Sequence, residues 1–178
     1  MEYEGRIKDG RSLRIAHVET RDAAETVAYV NRVSGESDFL TFGLDEFGVS
    51  VEDEEKFIAS LEGGGFNFAL KGVVDGKIVS LCLVTRRTRP RLRHLGELGI
   101  TVAKSHWGFG VGRAMCLAML DVARQVGITK VDLKVREDNT NAIRLYESLG
   151  FQQEGLVTRA IKIGDRYFAH MIMGMCMD

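Results

Sequence analysis

ELGITVAKSHWGFGVGR, Glu97 to Arg113, is the stretch whose reading decides the fold. It reads as a strand from Leu98 to Val102, a short polar link, and a glycine-rich turn that opens directly into a helix. Gly108, Gly110 and Gly112 alternate, and an amphipathic run begins at Arg113. Glycines lack the Cβ that would hold a ligand off the backbone. The first N–H groups of a helix have no intrahelical partner and sit at the positive end of its dipole. A strand feeding such a turn is therefore a place for phosphate.

The rest of the chain narrows what kind of protein surrounds that turn. Its 178 residues suit a single domain over 1–178, with 1–12 as an N-terminal strand extension. Apolar residues make up 45% and charged residues 28%, as in an ordinary globular protein. The net charge of −1 gives no global field toward nucleic acid or an anionic membrane. The N-terminus is too polar for a signal peptide and no run approaches a membrane span, so the cytoplasm is expected. Cys82, Cys116 and Cys176 each sit in an apolar run, which predicts buried free thiols. His17, His94, His106 and His170 lie far apart, and no metal is expected.

Upstream of the glycine turn the signals are mostly hairpins. Tyr3–Ile7 and Leu13–Val18 flank Asp9-Gly10, and Phe66–Val74 and Lys77–Thr85 flank Asp75-Gly76. Between them, Thr20 or Asp22 caps a helix to about Val33, and a second helix runs from Glu52 to Leu61. Gly63-Gly64-Gly65 precedes a strand and reads as a flexible loop. The arginines from Arg86 to Arg93 read as a solvated tip between strands. Downstream, a helix from about Gly110 to Gln125 is closed by Gly127, a strand covers Val131–Val135, and Asp138 or Asn139 starts DNTNAIRLYESLG. The last residues form two more strands around Gly164-Asp165.

A strand–helix–strand crossover after Val102 makes its two strands parallel. The starts of both following helices then lie at one edge, where open α/β sheets bind ligands. Asn139 comes to the edge that holds the glycine turn, and Tyr146 lies two helical turns deeper on the same face. The GxGxG spacing does not fit a dinucleotide fingerprint, and without a following Lys-Ser/Thr the turn is not a Walker A loop.

HWGFGVGRA followed by NTNAIRLYESLGF resembles the GNAT superfamily of N-acetyltransferases, over about residues 11–178. The family signature is Gln/Arg-x-x-Gly-x-Gly/Ala. Gly110 and Gly112 match it, and Trp107 stands where Gln or Arg is usual. GFQQEGLVTRAIKIGDRYFAHMIM is similar to the branch of ribosomal-protein, polyamine and amino-acid acetyltransferases. The resemblance implies a mixed, mostly antiparallel α/β sheet with a central parallel strand pair splayed to admit acetyl-CoA, and helices on both faces. It implies that the pyrophosphate lies on Trp107, Gly108, Phe109, Gly110, Val111, Gly112 and Arg113. The pantetheine arm would pair with Ile100, Thr101 and Val102 as an added strand. Asn139 and Ala142 would touch the arm, and Tyr146 would lie near the thioester sulfur.

The implied reaction is direct attack of a primary amine on the thioester in a ternary complex. Glu97 is the candidate base, acting through water. A backbone N–H near Ile100 is the candidate oxyanion donor. Tyr146 would protonate or hydrogen-bond the departing sulfur; with a thiol pKa of about 8.5 and a phenol of about 10, hydrogen bonding is the larger contribution. In the family, residues 34–51 and 159–168 shape the acceptor pocket. The first holds Glu36, Asp38, Asp45 and Glu46 among Phe39, Phe42 and Phe47, which either meet an acceptor or form an acidic loop with aromatics turned inward. The expected partner is a small-molecule or peptide amine, with a homodimer allowed and neither nucleic acid nor membrane. The alternative is a non-catalytic acyl-CoA-binding regulator.

Overall fold

The computed structural model describes residues 2–62 and 67–177. The chain order is β1 (Glu2–Arg6), β2 (Ser12–His17), α1 (Ala23–Ser34), α2 (Val51–Glu62), β3 (Asn67–Val74), β4 (Lys77–Arg86), β5 (Leu95–Val102), α3 (Val111–Gln125), β6 (Lys130–Arg136), α4 (Thr140–Ser148), β7 (Gln152–Ile163) and β8 (Arg166–Cys176). The Gly63-Gly64-Gly65 loop lies outside the described residues.

The turn chemistry explains most of these boundaries. Asp75 and Gly76 both have positive φ (50° and 73°), as a tight two-residue hairpin between β3 and β4 requires. Ser50 and Asp53 cap α2 reciprocally: Ser50 Oγ donates to Asp53 Oδ2 and accepts from the Asp53 N–H. Asp22 precedes α1, but its carboxylate makes no cap bond to the helix. It accepts instead from the Glu19 N–H and from the buried Lys71 ammonium. Asn139 caps α4 by accepting from the Ala142 N–H at 3.2 Å.

The strands form one sheet in the order β1-β2-β3-β4-β5-β6-β8-β7. Every neighbouring pair is antiparallel except β5 and β6. Alternation along the strands divides the core between the two faces. Leu98, Val131, Leu133 and Met173 pack with Met115, Cys116, Met119 and Leu120 of α3 and Tyr146 of α4. On the other face, Tyr29, Val30 and Val33 of α1 meet Ile78, and Ile58 of α2 joins Val18 and Ala23. Cys82 and Cys116 are buried as expected, and burial pushes the Cys116 thiol up to about 12. Cys176 is exposed, which corrects the sequence reading: it ends β8, where the strand leaves the core.

Candidate active site

The site is built where the parallel pair comes apart. β5 and β6 are in register only at Leu95–Lys130, Gly96–Val131 and Glu97–Asp132. Beyond that point β5 stays on β4 up to Val102 and β6 stays on β8 up to Arg136, so a wedge opens between them. The Arg87 N–H donates to Leu95 O and the Ala103 N–H to Val79 O. By antiparallel alternation the odd residues of β5 turn their backbone groups toward β4; the Leu98 N–H closes the last rung on Asp132, and the Leu98 carbonyl, Ile100 and Val102 face the wedge. Thr101 therefore does not offer its backbone there, against the sequence expectation. Its carbonyl accepts from Ser80 Oγ at 2.7 Å and its hydroxyl meets Tyr29 at 3.1 Å.

The glycine turn closes the wide end of the wedge. Gly108 and Gly110 have φ of 79° and 94°, and a Cβ on either would meet nothing within 4 Å. Their left-handed backbone calls for glycine, and no protein atom contests the space beside them. Gly110 is the N-cap of α3, leaving the Val111, Gly112 and Arg113 N–H groups without intrahelical partners. Gly112 serves packing: a Cβ there would stand 3.2 Å from Leu145 and 3.7 Å from Val102. The Arg113 side chain reaches across to Ser148 Oγ at 2.8 Å, tying α3 to α4. Trp107 donates its indole N–H to Val102 O at 2.7 Å, which pins the turn to the end of β5. The Lys8 N–H donates to Phe109 O at 3.0 Å, so the N-terminal hairpin braces the same turn, a contact that sequence spacing did not signal.

A helix start with free N–H groups, aligned in a splayed sheet with the free Ile100 backbone and the Val102 N–H, has the geometry to receive a phosphate attached to a long amide-bearing arm. The sequence model of the acetyltransferase (GNAT) family matches residues 36–151. The chain belongs to the GNAT family. A GNAT-family acetyltransferase structure from Streptococcus pneumoniae superposes with a TM-score of 0.89 at 32% identity, covering 92% of this chain and 99% of that one. The structure of yncA from Salmonella typhimurium with its cofactor acetyl-CoA superposes with a TM-score of 0.81 at 20% identity, covering 93% and 94%, a likeness of fold. The L-amino acid N-acetyltransferase AaaT of Escherichia coli is 30% identical over 87 residues, 48% of this chain and 54% of that protein. The chain thus spans about half the length of the curated relatives that it matches first.

Within this GNAT frame, Tyr146 is 8% exposed and packs edge-on to Phe151 at 5.8 Å. Burial pushes its phenol up, and the nearby Cys116 and Cys82 thiols add to the effect. Tyr146 shares the core cluster under α3 with Cys82, the β4 partner of Ile100. Its hydroxyl bonds no described residue. The Asn139 amide oxygen is committed to its cap, and Ala142 supplies the N–H that it holds.

Glu97 stands at the apex of the wedge on the face opposite α3 and α4. Arg87 donates to its Oε2 at 3.0 Å and Lys134 to its Oε1 at 2.9 Å. Above this face lies the segment between α1 and α2. Phe42 and Phe47, both half-buried, pack toward the α1 core and contact each other at 5.5 Å. Phe39 instead stacks on the Arg136 guanidinium at 4.6 Å, and Phe168 of β8 stacks on it at 4.1 Å. Arg136 also donates to Asp138 and to the Asp38 carbonyl. One buried cation thereby joins both walls of the face, and it was missed at the sequence level because nothing local distinguishes it from a strand-end arginine. Among the described residues no cluster of His, Cys, Asp or Glu could hold a metal, and no helix is long and apolar enough to cross a membrane.

Proposed function

We propose that this protein is an acetyl-CoA-dependent N-acetyltransferase acting on a primary amine by direct attack in a ternary complex. The observation that carries the reading is the wedge: the Leu98 carbonyl, Ile100 and Val102 face a gap whose mouth is the α3 N-terminus. With pyrophosphate at that mouth, the pantetheine arm runs down β5 from Val102 toward Glu97. Five strand residues span about 16 Å, which brings the thioester near the apex.

There the Ile100 N–H receives the oxyanion. Tyr146, whose hydroxyl has no partner among the described residues, hydrogen-bonds the departing sulfur. The acceptor enters from the opposite face, under Phe39 and Phe168, where the carboxylates at the apex meet an ammonium. An amino acid, a polyamine or a peptide N-terminus meets these requirements, and the AaaT relative, named for L-amino acids, supports the first.

The test is calorimetry with acetyl-CoA followed by a thiol-release screen over amino acids, polyamines and peptides. Binding together with release by at least one amine class is the expected result. Binding without release by any amine identifies a CoA-binding regulator. Greater thermal stabilisation by ATP or NAD than by CoA refutes the wedge as a CoA site.

A further inference from the structure

Resting on the acetyltransferase reading, we propose that Asp132 is the catalytic carboxylate that takes the proton from the acceptor ammonium, with Glu97 as its charged neighbour rather than the base.

Asp132 is the register partner of Glu97 in the last parallel pair before the sheet splays. Paired residues of neighbouring strands share a face, and Val131 and Leu133 on either side of Asp132 point into the core under α3. Both carboxylates therefore stand at the apex, on the face where the acceptor enters. They differ in what holds them. Both Glu97 oxygens are occupied by cations, Arg87 on one and Lys134 on the other. The Asp132 carboxylate makes no hydrogen bond or ion pair to any described residue, although Lys130 and Lys134 flank it on its own strand. Lys130 is turned away to Glu154 of β7, and Lys134 to Glu97. On β8 its partner is Gly174, over which the Glu154 carboxylate lies. Burial raises the Asp132 carboxyl above the ordinary aspartate range, and the Glu97 charge raises it further. A half-buried carboxylate with free oxygens and an elevated proton affinity is better suited to accept a proton than one already shared by two cations.

The step balances as follows. The ammonium gives one proton to Asp132, and the freed lone pair attacks the thioester carbonyl. The C–N bond forms and the C–S bond breaks. The thiolate, hydrogen-bonded by Tyr146, takes the second nitrogen proton, and Asp132 releases its proton to water. The products are the amide, CoA and one proton.

Asp132→Asn and Glu97→Gln are compared on the best amine from the screen, with acetyl-CoA calorimetry to confirm a folded cofactor site. Asp132→Asn is expected to lose about 100-fold or more in kcat/KM at neutral pH with unchanged acetyl-CoA affinity. Glu97→Gln is expected to lose about tenfold or less and to move the acidic limb of the pH profile downward, since its charge no longer raises Asp132. That limb falls as pH drops through the Asp132 pKa, because the protonated acid cannot act as base. An Asp132→Asn enzyme within about threefold of wild type that keeps the acidic limb overturns the assignment alone. A wild type that binds acetyl-CoA but turns over no amine overturns the acetyltransferase reading, and this assignment with it.

Discussion

Replacing Tyr146 with phenylalanine isolates one hydroxyl. The ring is 8% exposed and packed on Phe151, so phenylalanine fills the same space. The hydroxyl has no described partner, so its loss leaves no protein group unsatisfied and the melting temperature should move by less than about 2 °C. Its value is realised only when CoA leaves as a thiolate. A hydrogen bond to a charged group contributes about 1.5–3 kcal/mol, which converts to a loss of about 10- to 150-fold in kcat. Because burial raises the phenol, it stays protonated through the working pH range and is a donor throughout. The fold loss should therefore be constant from about pH 6 to 9. The assay is thiol release at saturating acetyl-CoA and amine, with the dissociation constant of acetyl-CoA measured separately. Wild-type kcat in Tyr146→Phe would refute the assigned role. A weakened acetyl-CoA affinity with kcat intact would move the hydroxyl from the leaving group to ground-state binding.

Three further substitutions probe the supports. Gly110→Ala forces a side chain onto φ of 94° with no steric contact, a backbone cost of about 1–2 kcal/mol, or about 2–8 °C by calorimetry; Gly110→Asn should lose less, and equal losses would point to packing instead. Trp107→Phe removes the donor to Val102 O and should lower the melting temperature by about 2–4 °C for a bond of about 1 kcal/mol; an unchanged midpoint would show that the indole does not brace the turn. Arg136→Met keeps the apolar stem but drops the bonds to Asp138 and the Asp38 carbonyl. It should raise the acceptor KM about tenfold or more with acetyl-CoA affinity unchanged, and an unaltered acceptor KM would remove Arg136 from the acceptor site.

What could be read from the sequence was local chemistry. Asp75-Gly76, Gly110 before α3 and Asn139 before α4 each announce a backbone conformation or cap that depends on a few adjacent residues, and each is found in place. The crossover from β5 to β6 follows from handedness and connection rules, so the common edge of the two helix starts was legible as well. Properties that depend on direction were not legible. Thr101 lies between two residues whose backbone faces the wedge, and only the β4 register shows that its own does not. Glu97 was visible as an acid on a strand, but its two cations come from 10 residues upstream and 37 downstream. Asp132 lacked any local signal, since its significance lies in being the residue opposite Glu97 at the last closed rung of the parallel pair. Trp107 looked like a departure from the family pattern. The structure supplies a reason, because an indole N–H can reach back to Val102 O and lock the turn.

The same contacts suggest how the two substrate sites are kept in step. The segment after α1 crosses the wedge and is fastened at both sides. Glu36 accepts the Lys104 N–H at 2.6 Å, just past the end of β5, while Arg136, at the end of β6, holds the Asp38 carbonyl and the Phe39 ring. Three residues of one loop thus bridge the two strands whose separation admits the cofactor. A change in the width of the wedge would strain one of these fastenings, which predicts a coupling between cofactor binding and the acceptor wall. Arg136→Met releases one fastening and leaves the other. If the linkage is real, that variant should lose the dependence of acceptor affinity on bound acetyl-CoA, read as equal acceptor dissociation constants with and without a non-reactive CoA analogue; if wild type already shows equal constants, the loop joins the strands without coupling them.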